Sequence, residues 1–275
     1  MNNKITVNDI LSLKCKRKIT MLTAYDFPLA SLVDQAAIDM ILVGDSLANV
    51  VLGLKSTTEV GMTEMLTSAK AVKRAVKSAL IIGDMPYESY QINPAESVKN
   101  AKRFIEEAGC DAVKLEWFDK CLEVTQQIIK SGIPVMGHIG LTPQTAETLG
   151  GFKVQGKDAE AAKKLIQQAK DLESLGCFSI VLECVPDKVA GLITQQLKIP
   201  TIGIGAGVAC DGQVLVSHDL LGLFERYKPK FVKQYINLSA LILEAIKQYK
   251  QEVLEEKFPG PEHSFTIKKE EMDKI

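Results

Sequence analysis

Short runs of Val, Ile and Leu alternate along the chain with longer stretches in which apolar residues recur three and four apart. The runs are ITMLTAY (19–25), MILVGDS (40–46), LIIGDMP (80–86), AVKLEWF (112–118), PVMGHIGL (134–141), SIVLECVP (179–186), PTIGIGAG (200–207) and VLVSHDLLG (214–222). Their near-continuous apolar character predicts strands buried on both faces, as in a parallel sheet covered by helices. Between them, TEMLTSAKAVKRAVKSA (63–79), PAESVKNAKRFIEEAG (94–109) and AEAAKKLIQQAKDLESLG (159–176) predict amphipathic helices, the last two closed by glycine. Eight strand units alternating with helices point to an α/β fold closed as a (β/α)8 TIM barrel in preference to an open sheet. A further helix is predicted over 237–256, and the two prolines and glycine of FPGPEHSF then break it.

Length and composition agree with one such domain over residues 1–275, carrying a C-terminal helix and tail. The chain has 275 residues, 46% of them hydrophobic, and a barrel of this type needs about 250. At this size roughly three quarters of the unfolded surface can be buried, so no staple is required. The six cysteines form no CxxC pair and are expected to be ordinary core residues in a reducing cytoplasm. Lys and Arg number 33 against 34 Asp and Glu, which excludes the single-sign field of a nucleic-acid binder. The basic stretch Lys228 to Lys233 is broken by Pro229 and Phe231 and reads as solvated surface. No apolar run of about 18 residues occurs, so no membrane span is expected, and the start has no signal-peptide pattern.

Charge enters the apolar runs in a telling place. Asp45 ends the second run, Asp84 the third, Lys114 and Glu116 lie in the fourth, His138 in the fifth and Glu183 in the sixth. The C-terminal strand ends of such a barrel form its active-site face, so these side chains are expected to converge on one mouth. Each also has a plainer reading. Asp45 and Asp84 could be helix caps, Lys114 and Glu116 a mutual salt bridge, and His138 a structural histidine as readily as a substrate contact. Glu183, flanked by Leu182 and Cys184, suits a general base. The acidic groups offer hard oxygen ligands for Mg²⁺ or Mn²⁺. His138, His218 and His263 lack the spacing of a zinc site. Gly203-Ile204-Gly205-Ala206-Gly207 matches neither nucleotide-binding fingerprint and reads as a tight rim loop.

Taken together and in this order, ITMLTAYD, ILVGDSLANVVLG, GDMPY, AVKLE, GHIGLTPQ, GGFKVQGK, VLE, IGIGAGVACDGQVLVSHDLLGL and FPGPEHSF resemble the ketopantoate hydroxymethyltransferase family over nearly the whole chain. The resemblance implies a barrel of the phosphoenolpyruvate/pyruvate-binding type and a role in pantothenate synthesis. It implies one Mg²⁺ per subunit on Asp45 and Asp84, with Glu116 as a further contact, and a 2-oxo acid held by Asp45, Ser46, Asp84 and Lys114. It implies Glu183 as the base that forms an enolate, 5,10-methylenetetrahydrofolate as one-carbon donor, and a homo-oligomer, specifically a decamer. Trp117-Phe118 stand where the family usually has two glycines, and Leu54-Lys55 where it has an aromatic or His and an acidic residue. The rival readings are another metal-dependent aldolase or lyase acting on a 2-oxo acid, and an inactive homologue kept as a binding protein.

Overall fold

All eight runs become strands in the computed structural model, which describes residues 3–146, 151 and 153–275. They are β1 (Ile19–Thr23), β2 (Met40–Val43), β3 (Leu80–Asp84), β4 (Ala112–Glu116), β5 (Val135–Gly140), β6 (Ser179–Glu183), β7 (Thr201–Ile204) and β8 (Gly212–Leu215). Each pairs in parallel with its chain neighbours, and β8 pairs with β1 to close the barrel. The last strand starts two residues earlier than expected. A Cβ on Gly212 would lie 2.6 Å from the Ile19 carbonyl oxygen, so glycine there admits the neighbouring strand β1. The remainder of that run, Ser217–Leu221, is a short helix.

The helices are α1 (Val7–Ser12), α2 (Phe27–Gln35), α3 (Leu47–Val50), α4 (Met62–Ala75), α5 (Tyr87–Tyr90), α6 (Pro94–Glu106), α7 (Cys121–Lys130), α8 (Ala159–Leu175), α9 (Asp187–Gln196), α10 (Ser217–Leu221), α11 (Leu238–Leu254) and α12 (Lys269–Met272). The expected 63–79 helix stops at Ala75 because the amides of Lys77, Ser78 and Ala79 turn to the Asp34 carboxylate of α2. Gly176 ends α8 in the left-handed conformation, φ 100°, as its position predicts.

Alternation along the strands sorts the apolar core into two layers. Met21, Met40, Leu42, Leu80, Ile82, Ala112, Met136, Val181, Ile202 and Val214 form an interior cluster, joined by Ile10 of α1. Their neighbours Ile41, Val43, Ile81, Val113, Leu115, Ile139, Ile180 and Leu182 pack outward with residues of the helices. A Cβ on Gly83 would overlap the Phe104 ring, so glycine there lets α6 seat against β3.

Contacts divide the chain into two compact units. Met1–Ser217 with Pro229–Val232 carries the barrel. His218–Lys228 with Lys233–Ile275 carries α11 and α12, and no residue of α11 is buried.

Candidate active site

Past the interior cluster, the same alternation turns from apolar to charged side chains. Ile82 is followed two residues on by Asp84, Ala112 by Lys114 and Glu116, Met136 by His138, and Val181 by Glu183. Strand register then sets them side by side. Asp84 pairs with Lys114, Glu116 with His138, and Gly140 with Glu183. The strand-end groups expected to share a mouth do share it.

Asp45, just past β2, and Asp84 do not act as caps. Ser46 occupies the cap position of α3, and Pro86 that of α5. Asp84 Oδ2 instead accepts from the Asp45 backbone N–H at 3.2 Å. Its Oδ1 lies 2.7 Å from Lys114 Nζ, with both side chains buried. Lys114 Nζ is 4.0 Å from Glu116 Oε1, so its partner is Asp84 and the Lys114–Glu116 salt bridge is loose. Ser46 Oγ and the Tyr25 hydroxyl lie 2.8 Å apart.

His138 sits between two carboxylates. Its Nδ1 is 3.4 Å from Glu116 Oε1 and its Nε2 is 3.3 Å from Glu183 Oε2, and neither contact meets full hydrogen-bond geometry. Glu183 is the more open of the two acids, its side chain 15% exposed. Cys184, the next residue, has φ 49°, a left-handed conformation unusual outside glycine. It is pinned there by Cys184 N–H to Ile204 O and Gln155 N–H to Cys184 O, both 2.9 Å.

The electrostatics report a surplus of negative charge. Burial pushes the Asp84 carboxyl well above its ordinary range. The Lys114 ammonium opposes this, while Asp45 and Glu116 reinforce it. Lys114 is also held above its usual value, because the surrounding acids outweigh its burial. Within this pair the proton belongs to Lys114, since three carboxylates face one ammonium. Burial likewise raises Glu116 against the pull of His138 and Lys114. Burial and the Lys114 charge oppose protonation of His138, yet Glu116 and Glu183 lift it to about 9.

No three acidic, histidine or cysteine side chains form a ready-made cation cage among the described residues. The donor set nevertheless fits a hard divalent ion. Buried negative charge exceeds the cations beside it, Glu116 Oε1 is buried without a hydrogen bond, and Mg²⁺ characteristically takes one or two carboxylates with water or substrate completing its shell.

Gln144 and Tyr90 were not legible as site residues from sequence, although Gln144 closes the GHIGLTPQ run. Both are buried, and Gln144 bonds Asp45 and Glu116. Trp117 and Phe118 pack against the outer core layer, and the Phe118 ring meets Tyr90 edge-on at 5.2 Å. Gly150 and Phe152 of GGFKVQGK lie outside the described residues. Of the glycine run expected to be a rim loop, Gly203 and Ile204 instead belong to β7, and within the run the turn is confined to residues 205–207, where Gly205 and Gly207 take positive φ. All six cysteines are free thiols, and no described helix is long and apolar enough to cross a membrane.

Comparison with known proteins places these observations. Residues 4–261 match the family model for ketopantoate hydroxymethyltransferase. A 3-methyl-2-oxobutanoate hydroxymethyltransferase of Syntrophomonas wolfei is 56% identical over 262 residues, 95% of each chain. That of Syntrophobacter fumaroxidans is 54% identical over 275 residues, covering all of this chain and 98% of its own. Among solved structures, 2,3-dimethylmalate lyase, described as a PEP mutase/isocitrate lyase superfamily member, superposes with a TM-score of 0.63 at 14% identity, covering 89% of this chain and 87% of that one. A phosphoenolpyruvate phosphomutase of Streptomyces platensis gives 0.62 at 13% identity, covering 98% and 94%. These likenesses bear out the expected barrel class.

Proposed function

The chain belongs to the ketopantoate hydroxymethyltransferase family, and on that premise we propose that it transfers a hydroxymethyl group from 5,10-methylenetetrahydrofolate to 3-methyl-2-oxobutanoate, giving 2-dehydropantoate for pantothenate synthesis. It is an enzyme, so the reading as an inactive binding homologue falls away. The observation that carries the proposal is the separation of two acidic regions at one mouth. Asp45, Asp84 and Glu116 are buried around Lys114, while Glu183 stands beyond His138, partly open.

Asp45 and Asp84 would hold a Mg²⁺ ion, with Glu116 as a further contact. Bound there, the ion would supply a Lewis acid for the keto oxygen of the 2-oxo acid. Lys114 and Ser46 would bind the substrate's oxygens and orient it, the lysine as a fixed charge kept protonated by its neighbours. Glu183 would then take the proton from C3. The C–H electron pair passes into the C2–C3 bond, and the negative charge goes to the keto oxygen as an enolate. Water cleaves the two C–N bonds of the methylene bridge, its two protons going to the nitrogens of the departing tetrahydrofolate; C3 bonds to the one-carbon unit at the aldehyde level, and the oxygen derived from water takes up the proton removed from C3. Lys114 is engaged by Asp84 at 2.7 Å, which favours a binding role over Schiff-base chemistry.

A homo-oligomer, a decamer by family resemblance, is part of the same reading. It is supported by α11, whose Leu241, Leu243, Ile246, Tyr249 and Leu254 are all exposed apolar residues. Cytoplasmic residence accords with the free thiols.

The test is an NMR assay for 2-dehydropantoate, run with and without methylenetetrahydrofolate and with divalent cations chelated. Product that appears only with both folate and metal is the expected result. Turnover of a different 2-oxo acid without folate would favour the lyase reading.

A further inference from the structure

Gln144 is a neutral residue tied to two of the three carboxylates proposed to hold the cation. It lies in the turn Pro143–Thr145 after β5 and is only 4% exposed. Its backbone N–H donates to Glu116 Oε2 at 3.0 Å. Its side-chain Nε2 donates to Asp45 Oδ2 at 2.9 Å and to the Met85 carbonyl at 3.2 Å, and its Oε1 accepts from the Tyr90 hydroxyl.

Those partners fix which way the amide points. A flipped amide would set its oxygen against the Asp45 carboxylate and the Met85 carbonyl, neither of which can donate. Tyr90 is itself held firmly. It is fully buried, its carbonyl accepts from Ser97 Oγ at 3.0 Å, and Phe118 packs edge-on to its ring.

We propose that Gln144 is a positioning residue for the cation-binding carboxylates. It engages one oxygen each of Asp45 and Glu116 and leaves the other oxygen of each for the ion, while Tyr90 holds the amide in the required orientation. Mg²⁺ demands near-ideal octahedral geometry, so the direction of each carboxylate governs its affinity. Hydrogen-bonded supports of this kind are worth about 10–100-fold in metal binding. The inference rests on the cation reading of the site given above.

The test titrates Mn²⁺ alone into the full-length enzyme and reads free Mn²⁺ by paramagnetic resonance, with thermal unfolding in chelator measured in parallel. Gln144→Met keeps the length of the side chain and removes its polar atoms, and Tyr90→Phe removes one hydroxyl. Gln144→Met is expected to raise the Kd for Mn²⁺ by about 10–100-fold and Tyr90→Phe by roughly tenfold. Wild-type Mn²⁺ affinity in both variants overturns the proposal, and so does a lowered unfolding midpoint with Kd unchanged, the mark of a merely structural role. Should Gln144→Met fail to fold, Tyr90→Phe decides. A wild-type enzyme that binds no Mn²⁺ would instead overturn the cation reading itself.

Discussion

Gly140 and Glu183 face each other across β5 and β6, so close that a side-chain carbon on Gly140 would overlap the Glu183 carbonyl oxygen. That carbonyl accepts from Leu141 N–H at 2.8 Å, and Gly140 itself has φ +98°. A left-handed conformation alone costs a non-glycine residue about 1–2 kcal/mol. Gly140→Ala is therefore expected to lose roughly 2–4 kcal/mol in urea unfolding, backbone strain and overlap together. An alanine variant of wild-type stability would show that the two strands can part without cost.

Glu183→Gln removes the proposed base while keeping its shape. Exchange of the C3 proton of 3-methyl-2-oxobutanoate with solvent deuterium, followed by NMR, is expected to fall by about 10²–10⁴-fold. Mn²⁺ affinity should change little, because the residue stands apart from Asp45 and Asp84. Exchange at the wild-type rate would assign the base elsewhere.

Lys114→Met leaves Asp84 and Glu116 buried without the ammonium between them. Removing one partner of a buried pair typically costs about 3–5 kcal/mol. Added Mg²⁺ should restore part of the lost thermal midpoint, because it supplies positive charge to the same carboxylates. If the melting curve of the variant ignores Mg²⁺, the acids do not form a cation site.

Asp39 makes the fold's own pH dependence testable at the opposite end of the barrel strands. Its burial favours the neutral acid, but Arg17 and the backbone and hydroxyl of Thr20 outweigh that and hold its pKa below the ordinary 3.8. A depressed folded-state pKa gives stability that is present above the unfolded value and lost as pH falls through the folded one. Asp39→Asn should thus be less stable than wild type by roughly 2–4 kcal/mol at pH 7. The gap should narrow as pH drops below about 4, when both are compared by denaturant unfolding. A gap that stays constant down to pH 2 would mean the carboxylate charge contributes nothing.

Strand order and the convergence of the candidate site residues were legible because both depend on a period of two. An apolar run that ends in Asp or Glu states in one dimension that the barrel interior gives way to a polar mouth, and Asp84, Glu116 and Glu183 follow that rule. Gln144 follows no such rule. It is uncharged, lies in a turn, and meets Asp45 only because the closed barrel brings β2 and β5 loops together. His138 was visible as a polar interruption, but its place between Glu116 and Glu183 depends on the register of three strands. The aromatic pair Trp117-Phe118 sits next to Glu116 in sequence, but that it packs against the outer core layer, with Phe118 edge-on to Tyr90, depends on the tertiary fold.

The left-handed turn at Cys184 follows directly on Glu183, the proposed base. A survey of substitutions there should show an inverted tolerance pattern. Glycine and asparagine, which accept a left-handed turn readily, should be neutral or stabilising, and valine or isoleucine, close in size and hydrophobicity to the native thiol, should be the damaging ones. Selection at that position would act on a torsion angle, and the identity of the sulfur would be incidental to it.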